Sequence, residues 1–554
     1  MYHLGGTPWQ FISEDEEKHM RVGVTPVVSR GMVGLAVAVL LGHVVVDVIT
    51  PFEFHRDEFL YLAMGEHLRL WRMDFPPFIA IVARVSRALL GDSLTAIRLA
   101  PALASALIVL LTGVASSVMV VLVGAADRGL ERERARAFSW VPWLAMIAVI
   151  TSPVFLRPGN LFQPVVFDQL WWTAALLAVL MRAYTRDMRW WIAIGAALGL
   201  GLLTKFSIAF IGVGIVAGTL FTPTRRDLLT RWPWLALLLA VVIGSPSLVG
   251  QWLLAFPIRW QMRDLQAEQL GVRSPLAFFA EQPGLVGPAM LLALVGLVWL
   301  LSTRAAAPLR AVGIAVITSW ILLSLNRGKA YYGAPVYPML FAAGALAIAV
   351  ALPERLAGSQ TVWRKRIAFS IGAIMLLLWP VALPIALPIL SPERTARYIA
   401  ALGVSGSTRT NYGTTLELPQ DFADMLGWHA MVVALSHEWR AMPEQDRADA
   451  VLLAGSYGRA GAIDFYGPRY GLPKVVSAAG SYWFFGPGGK PGRVVLALGV
   501  SKADLEPFMT HCDELRFIGT PLGVEEERRI PITRCAGPKT SLQQLWPVLD
   551  PSHQ

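Results

Sequence analysis

Phe54-His55-Arg56-Asp57-Glu58-Phe59-Leu60-Tyr61 comes just after the first long apolar run of the chain, Gly31 to Thr50, and ahead of Asp74-Phe75-Pro76-Pro77. Two adjacent carboxylates at the mouth of an apolar run are a costly placement. Acids near hydrocarbon face a water-filled cavity and serve a substrate, ion or proton path, unless they belong to a solvated loop. The rest of the chain weighs on that choice. Of its 554 residues, 55% are hydrophobic and 16% charged, too few charges to wet the surface of a soluble protein this long. Apolar runs of about 20 residues, enough to cross about 30 Å of hydrocarbon, recur along it and mark a polytopic membrane protein.

About eleven spans are predicted, near 31–50, 95–124, 138–156, 164–184, 190–204, 206–222, 233–254, 285–301, 311–325, 335–352 and 367–390. Small residues in the fifth (Gly195, Ala196, Ala197, Gly199, Gly201) permit close helix packing in lipid. Residues 1–30 are mostly polar, with Glu14-Asp15-Glu16-Glu17-Lys18, and lack a signal-peptide core and cleavage site, so the first span is expected to stay as an anchor. Alternate loops are basic: Arg128, Arg132, Arg134 and Arg136; Arg182, Arg186 and Arg189; Arg225, Arg226 and Arg231; Arg304 and Arg310; Arg355, Arg364, Lys365 and Arg366. Basic loops favour the cytoplasm, which puts the N-terminal tail inside and the C-terminal part outside the plasma (inner) membrane.

Net charge is +10, and it is uneven. Residues 1–390 carry 32 Lys+Arg against 21 Asp+Glu, and residues 391–554 carry 16 against 17. The excess thus lies in the membrane half, where it suits lipid headgroups; basic residues spread over inter-helix loops do not suit nucleic acid. Two external loops keep cations against the orientation rule: Arg56, Arg69, Arg72, Arg84 and Arg87 in the loop 51–94, and Arg259, Arg263 and Arg273 in 255–284. Holding an anionic headgroup would account for them. The second half of the first loop, Phe75 to Arg87, reads as an amphipathic helix lying in the interface.

Beyond Ser391 polar and apolar residues mix. Short β-like runs appear at 450–454, 474–477 and 493–498, with a helix-like stretch at 421–441, so residues 391–554 read as an α/β domain outside the membrane. The two cysteines, Cys512 and Cys535, fall there; an extracytoplasmic disulfide and two free buried thiols both remain open. The run Gly480-Ser481-Tyr482-Trp483-Phe484-Phe485-Gly486-Pro487 could stack on a sugar, lie on the membrane or form a core strand.

Four features share the external side. Asp57-Glu58 is the first. The second is Phe162-Gln163-Pro164-Val165-Val166-Phe167-Asp168, whose acid lies about a turn into a span and needs water, a cation, or a partner such as Arg157 or Lys205. Thr204-Lys205 is the third, a lysine that could also snorkel to the interface. The fourth runs from Asn326 through Arg327, Lys329, Tyr331 and Tyr332 to Tyr337-Pro338. Its Arg and Lys suit phosphate oxygens, and its tyrosines suit an aromatic belt or a lipid path. Acids facing phosphate-binding cations at a membrane surface fit a transferase whose donor is a sugar on a lipid phosphate.

In their order, Asp57-Glu58 with Tyr61, Pro76-Pro77, Phe162 to Asp168, Leu203-Thr204-Lys205, Lys329-Ala330-Tyr331-Tyr332 and Tyr337-Pro338 resemble the superfamily of protein O-mannosyltransferases and lipid A aminoarabinose transferases. The resemblance spans roughly residues 31–352 and implies the GT-C fold. It also implies a polyprenyl-phosphate-linked sugar donor, an extracytoplasmic lipid, glycan or protein acceptor, and inversion at the anomeric carbon. It points to Asp57 as the base, with Glu58 and Asp168 as further acids. Lys329, Arg327, Tyr331, Tyr332 and Lys205 would lie by the donor phosphate, and Tyr61, Arg259 and Arg263 near the substrates. A divalent cation is used by some relatives only; Asp57 and Asp168 would be its candidate ligands. The C-terminal part departs from the inserted repeats of eukaryotic mannosyltransferases, which leaves the acceptor open. A transporter or lipid flippase is the alternative, and a non-catalytic sensor would leave the acids and cations unexplained.

Overall fold

Ser29 opens the first membrane helix by accepting a hydrogen bond from the Met32 backbone at 3.2 Å, and the helix runs from Arg30 to Ile49 (α1). The computed structural model describes residues 28–124, 138–271, 273–350 and 360–553. Glu14 to Lys18, the basic loop Arg128 to Arg136, and Arg355 lie outside the described residues. The longer helices that follow are α2 (Arg56–Glu66), α3 (Phe78–Leu90), α4 (Leu94–Gly124), α5 (Val141–Thr151), α6 (Pro164–Thr185), α7 (Trp190–Thr204), α8 (Ile208–Leu220) and α9 (Trp232–Leu253). After them come α10 (Ile258–Leu265), α11 (Ala289–Ser302), α12 (Arg310–Leu325), α13 (Tyr337–Val350), α14 (Gln360–Ala386), α15 (Pro392–Leu402), α16 (Trp428–Ala441) and α17 (Tyr457–Tyr466).

A helix stands at each of the eleven expected spans, but they are not equal. Seven are long and apolar enough to cross a membrane, and two more qualify only as bent pairs, Val141–Thr151 with Pro153–Asn160 and Ile208–Leu220 with Pro223–Leu229. The other two, α7 and α11, have 15 and 14 residues. At 1.5 Å per residue each reaches about 20 Å, short of about 30 Å of hydrocarbon. This is a multi-pass membrane protein with seven to nine full-length candidate spans among the described residues, fewer than the eleven expected. Glycines set the helix spacing: a Cβ on Gly195 would strike the Ala236 backbone of α9, and one on Gly199 would come within 2.7 Å of Ile243.

The loop 51–94 folds as two helices, with α3 where the amphipathic pattern placed it. His55 and Glu58 form a capping box at the start of α2. The His55 ring accepts from the Asp57 N–H (3.0 Å), and the Glu58 carboxylate accepts from the His55 N–H (2.6 Å). Half of the opening motif is therefore a helix signal.

The C-terminal part holds a mixed five-stranded sheet of β1 (Ala450–Ala454), β2 (Val475–Val476), β3 (Val494–Leu498), β4 (Met509–Ile518) and β5 (Ile530–Pro538) in the order β2-β1-β3-β5-β4. β1 pairs in parallel with β2 and β3; β5 pairs antiparallel with β3 and β4. Cys512 and Cys535 face each other across β4 and β5 and form a disulfide. The Tyr482 to Phe485 run is a 3-10 helix, not a strand, and it is spent on packing. Phe485 stacks on His67, and Trp483 exchanges indole-to-carbonyl hydrogen bonds with Trp546.

This region does not stand apart from the membrane helices. Two backbone hydrogen bonds strap 53–56 to 424–425, and Phe59 of α2 packs against Trp428, Phe465 and Tyr466. One apolar core runs from the membrane helices through α2 into β1 and β3.

Candidate active site

The neighbouring carboxylates of the opening motif have opposite surroundings. Glu58 is fully buried, and its two oxygens accept from Arg98 (2.8 and 2.7 Å), the Phe162 N–H (2.7 Å) and the His55 N–H (2.6 Å). Those four bonds leave it little capacity for a substrate. Asp57 is partly open, with a side chain 29% exposed. One of its oxygens accepts from the Tyr457 hydroxyl at 2.9 Å and the other from Gln163 Nε2 at 3.2 Å. Gln163 reaches it because Pro164 starts α6, leaving Gln163 extended at the N-cap.

Around Asp57 stand groups the sequence did not join to it. Buried His55 points Nε2 at Asp424 (3.7 Å) and Asp421 (3.9 Å) with no hydrogen-bond partner for that nitrogen. Arg56 lies 3.5 Å from Asp424. Burial pushes the Asp424 carboxyl up to about 6 against the pull of Arg56 and His55. Asp421 is also raised by burial, but Arg157, His55 and Lys329 hold it below its usual value. Tyr61 is half-buried; burial and then the Asp57 charge keep its phenol well above the usual range.

The cations divide as sharply. Lys329 is half-buried and, among the described residues, has no ion pair or hydrogen bond from its ammonium. Burial, then Lys205 and Arg273, lower it to about 8, while Asp421 and Asp57 oppose the fall. Base candidate and cation candidate are thus within electrostatic reach of each other. Lys205 sits at the break between α7 and α8 with Nζ 4.4 Å from the Tyr332 ring centroid and 5.4 Å from that of Tyr331. Arg327, by contrast, is exposed, has a left-handed backbone (φ 54°) and donates to the Gly271 carbonyl at 2.6 Å.

Asp168 pairs with neither expected cation. It accepts from Trp172 Nε1 (3.0 Å) and Ser207 (2.8 Å), while Arg157 bonds Asp421 at 2.9 Å. Arg259 and Arg263 are exposed on α10, one over the Phe256 ring and the other beside Asp264, and neither is bonded to the Asp57 group. Among the described residues no group of three or more His, Cys, Asp or Glu side chains could hold a metal ion.

Sequence reading missed Tyr457, Asp421, Asp424 and Arg98. Ser456-Tyr457-Gly458 carried a signal: Ser456 caps α17, and two glycines three apart mark a helix face that another backbone approaches.

The fold can be set beside those of known proteins. Residues 134–249 match the Dolichyl-phosphate-mannose-protein mannosyltransferase family. ArnT from Cupriavidus metallidurans bound to undecaprenyl phosphate superposes with a TM-score of 0.55 at 16% identity, covering 91% of this chain and 98% of that one. Its apo state gives 0.51 at 18% identity over the same shares. The lipid A galacturonosyltransferase RgtD of Rhizobium johnstonii is 27% identical over 253 residues, 45% of this chain. The chain spans about half the length of that curated relative. The GT-C resemblance read from the residues is supported by all three.

Proposed function

We propose that this protein moves a sugar from a polyprenyl-phosphate-linked donor to an extracytoplasmic acceptor, with inversion. Residues 31–390 would form the transferase region and 391–554 its external part. One observation carries the reading. A partly open carboxylate held by two donors, Asp57, lies within electrostatic reach of Lys329, a half-buried ammonium unpaired among the described residues, in a fold like that of a protein solved with undecaprenyl phosphate. In this reading Asp57 takes the proton of an acceptor hydroxyl as its oxygen attacks the anomeric carbon. The bond from that carbon to the phosphate oxygen breaks, and polyprenyl phosphate leaves with the electron pair. Lys329 and Lys205 stabilise the growing negative charge, with Tyr331 and Tyr332 beside Lys205. Glu58 and Asp168 hold the scaffold.

The test is transfer of label by detergent-purified protein from undecaprenyl-phosphate-linked mannose, galacturonic acid or aminoarabinose to envelope lipid and protein extracts. No transfer with any donor would sink the reading. The disulfide supports an external C-terminal part; a reporter fused after Ser391 that signals from the cytoplasm would invert the topology.

Lys329→Ala should weaken undecaprenyl phosphate binding about 10- to 150-fold, the worth of a charge-assisted hydrogen bond. Arg327→Ala should change it little, since that guanidinium is spent on Gly271. Because Lys329 is lowered to about 8, its charge is present below that pH and lost above it. Affinity of the wild-type protein should therefore fall as pH rises through about 8, and that fall should vanish in Lys329→Ala. Equal affinity of the two proteins at pH 7 would remove Lys329 from the site.

A further inference from the structure

We propose that Tyr457, contributed by the C-terminal region, is a positioning residue that holds the Asp57 carboxylate for catalysis. The inference rests on Asp57 being the base. The Tyr457 hydroxyl donates to Asp57 Oδ1 at 2.9 Å across 400 residues of sequence, the shorter of the two side-chain bonds to that carboxylate. Oδ2, with the longer bond to Gln163, is then the oxygen free to exchange its partner for an acceptor hydroxyl.

Tyr457 cannot drift from this position. It is the first residue of α17, and Ser456 caps that helix by accepting from the Arg459 N–H at 3.3 Å. The face of α17 that meets α2 carries Gly458 and Gly461. A Cβ on Gly458 would strike the Arg56 side chain, and one on Gly461 would stand 2.6 Å from Phe59 Cβ and 2.9 Å from its carbonyl oxygen. These glycines set how close the phenol comes to Asp57. The far end of the helix is fixed by Phe465 and Tyr466 against Phe59, and Arg459 is paired with Glu527 at 3.0 Å. Arg56 lies over the Tyr457 ring, 5.7 Å from its centroid. Burial and then the Asp57 charge keep the phenol well above its usual value, so it remains a donor and does not compete as a base. A hydrogen bond to the charged form of a carboxylate also favours that form, the one a general base needs.

Tyr457→Phe keeps the ring and its packing and deletes only the donor. In full-length purified protein, with whichever undecaprenyl-phosphate sugar the wild type transfers, kcat should fall about 10-fold or more while the donor KM stays within a factor of two. The acid limb of the pH–rate profile should move to higher pH. A merely structural role would move neither the profile nor kcat alone. Gly461→Ala, which pushes α17 off Phe59, should reproduce the kcat loss with the tyrosine still present. A folded Tyr457→Phe protein with wild-type kcat and profile, beside an inactive Asp57→Asn protein, overturns this inference and leaves the base assignment standing. An active Asp57→Asn protein overturns both.

Discussion

Asp57→Asn is expected to lower turnover by about 10²–10⁴-fold while the protein folds and binds undecaprenyl phosphate as before. That is the usual loss when a general base is removed, about 3–5 kcal/mol of barrier. The substitution is nearly isosteric, and both neighbours tolerate it. Tyr457 can still donate to the amide oxygen, and Gln163 can turn its own amide so that its carbonyl accepts from the new NH2. Nothing in the packing changes, so a loss confined to kcat reads directly on proton transfer. Glu58→Gln provides the contrast. There the new NH2 would face Arg98 or the backbone donors Phe162 and His55, so the loss should appear in melting temperature and folding yield. Turnover of Asp57→Asn within a few-fold of wild type would take Asp57 out of the mechanism.

The different fates of Asp57 and Glu58 show where the sequence was legible. Apolar runs located each candidate span among the described residues, because hydrocarbon admits a narrow choice of residues. They showed the run of α7 to be short, but not that α11 falls short of a full crossing or that two spans bend, since bends depend on what packs beside them. In the C-terminal part, β1, β2 and β3 were legible as buried runs of Val and Leu, whereas β4 was not. Its sequence from Met509 to Ile518 is mostly exposed and polar, as an edge strand can be, and so lacks alternation. The acidic pair carried a signal left unread: His55 and Glu58 stand at capping-box spacing, which marks Glu58 as a helix-starting residue and leaves Asp57 unassigned. The cations followed the same rule. Lys329 and Arg327 look equivalent two residues apart, and only the turn at Arg327, which aims it at Gly271, separates them. Tyr457, Asp421 and Asp424 reach the site through tertiary contacts some 250 to 400 residues long, and no local pattern encodes such a contact.

Arg98→Met should be strongly destabilising, costing about 3–5 kcal/mol, the usual loss when one partner of a buried ion pair is removed. Arg98 is fully buried near the start of α4, and it serves three elements at once. It forks onto Glu58 at 2.8 and 2.7 Å, donates to the Glu53 carbonyl at 3.3 Å, and lies 3.5 Å from Asp47 of α1. Asp47 accepts in turn from Asn160 at 2.9 Å, and Asn160 bonds His43 at 2.5 Å. Methionine fills the volume of the arginine stem but leaves two carboxylates, Glu58 and Asp47, buried without a counter-charge. Loss of folded protein from detergent and a lowered melting temperature are the measurements. Arg98→Lys keeps the charge and loses the fork, so it should fall between Met and wild type. Adding Glu58→Met to Arg98→Met removes one uncompensated acid and should recover part of the loss, since replacing both partners by apolar groups is often near neutral. The recovered double variant should still turn over poorly, because Glu58 caps the helix that carries Asp57 and holds the Phe162 backbone next to Gln163. A fully folded Arg98→Met protein with wild-type melting temperature would show that the network does not hold α1, α2 and α4 together.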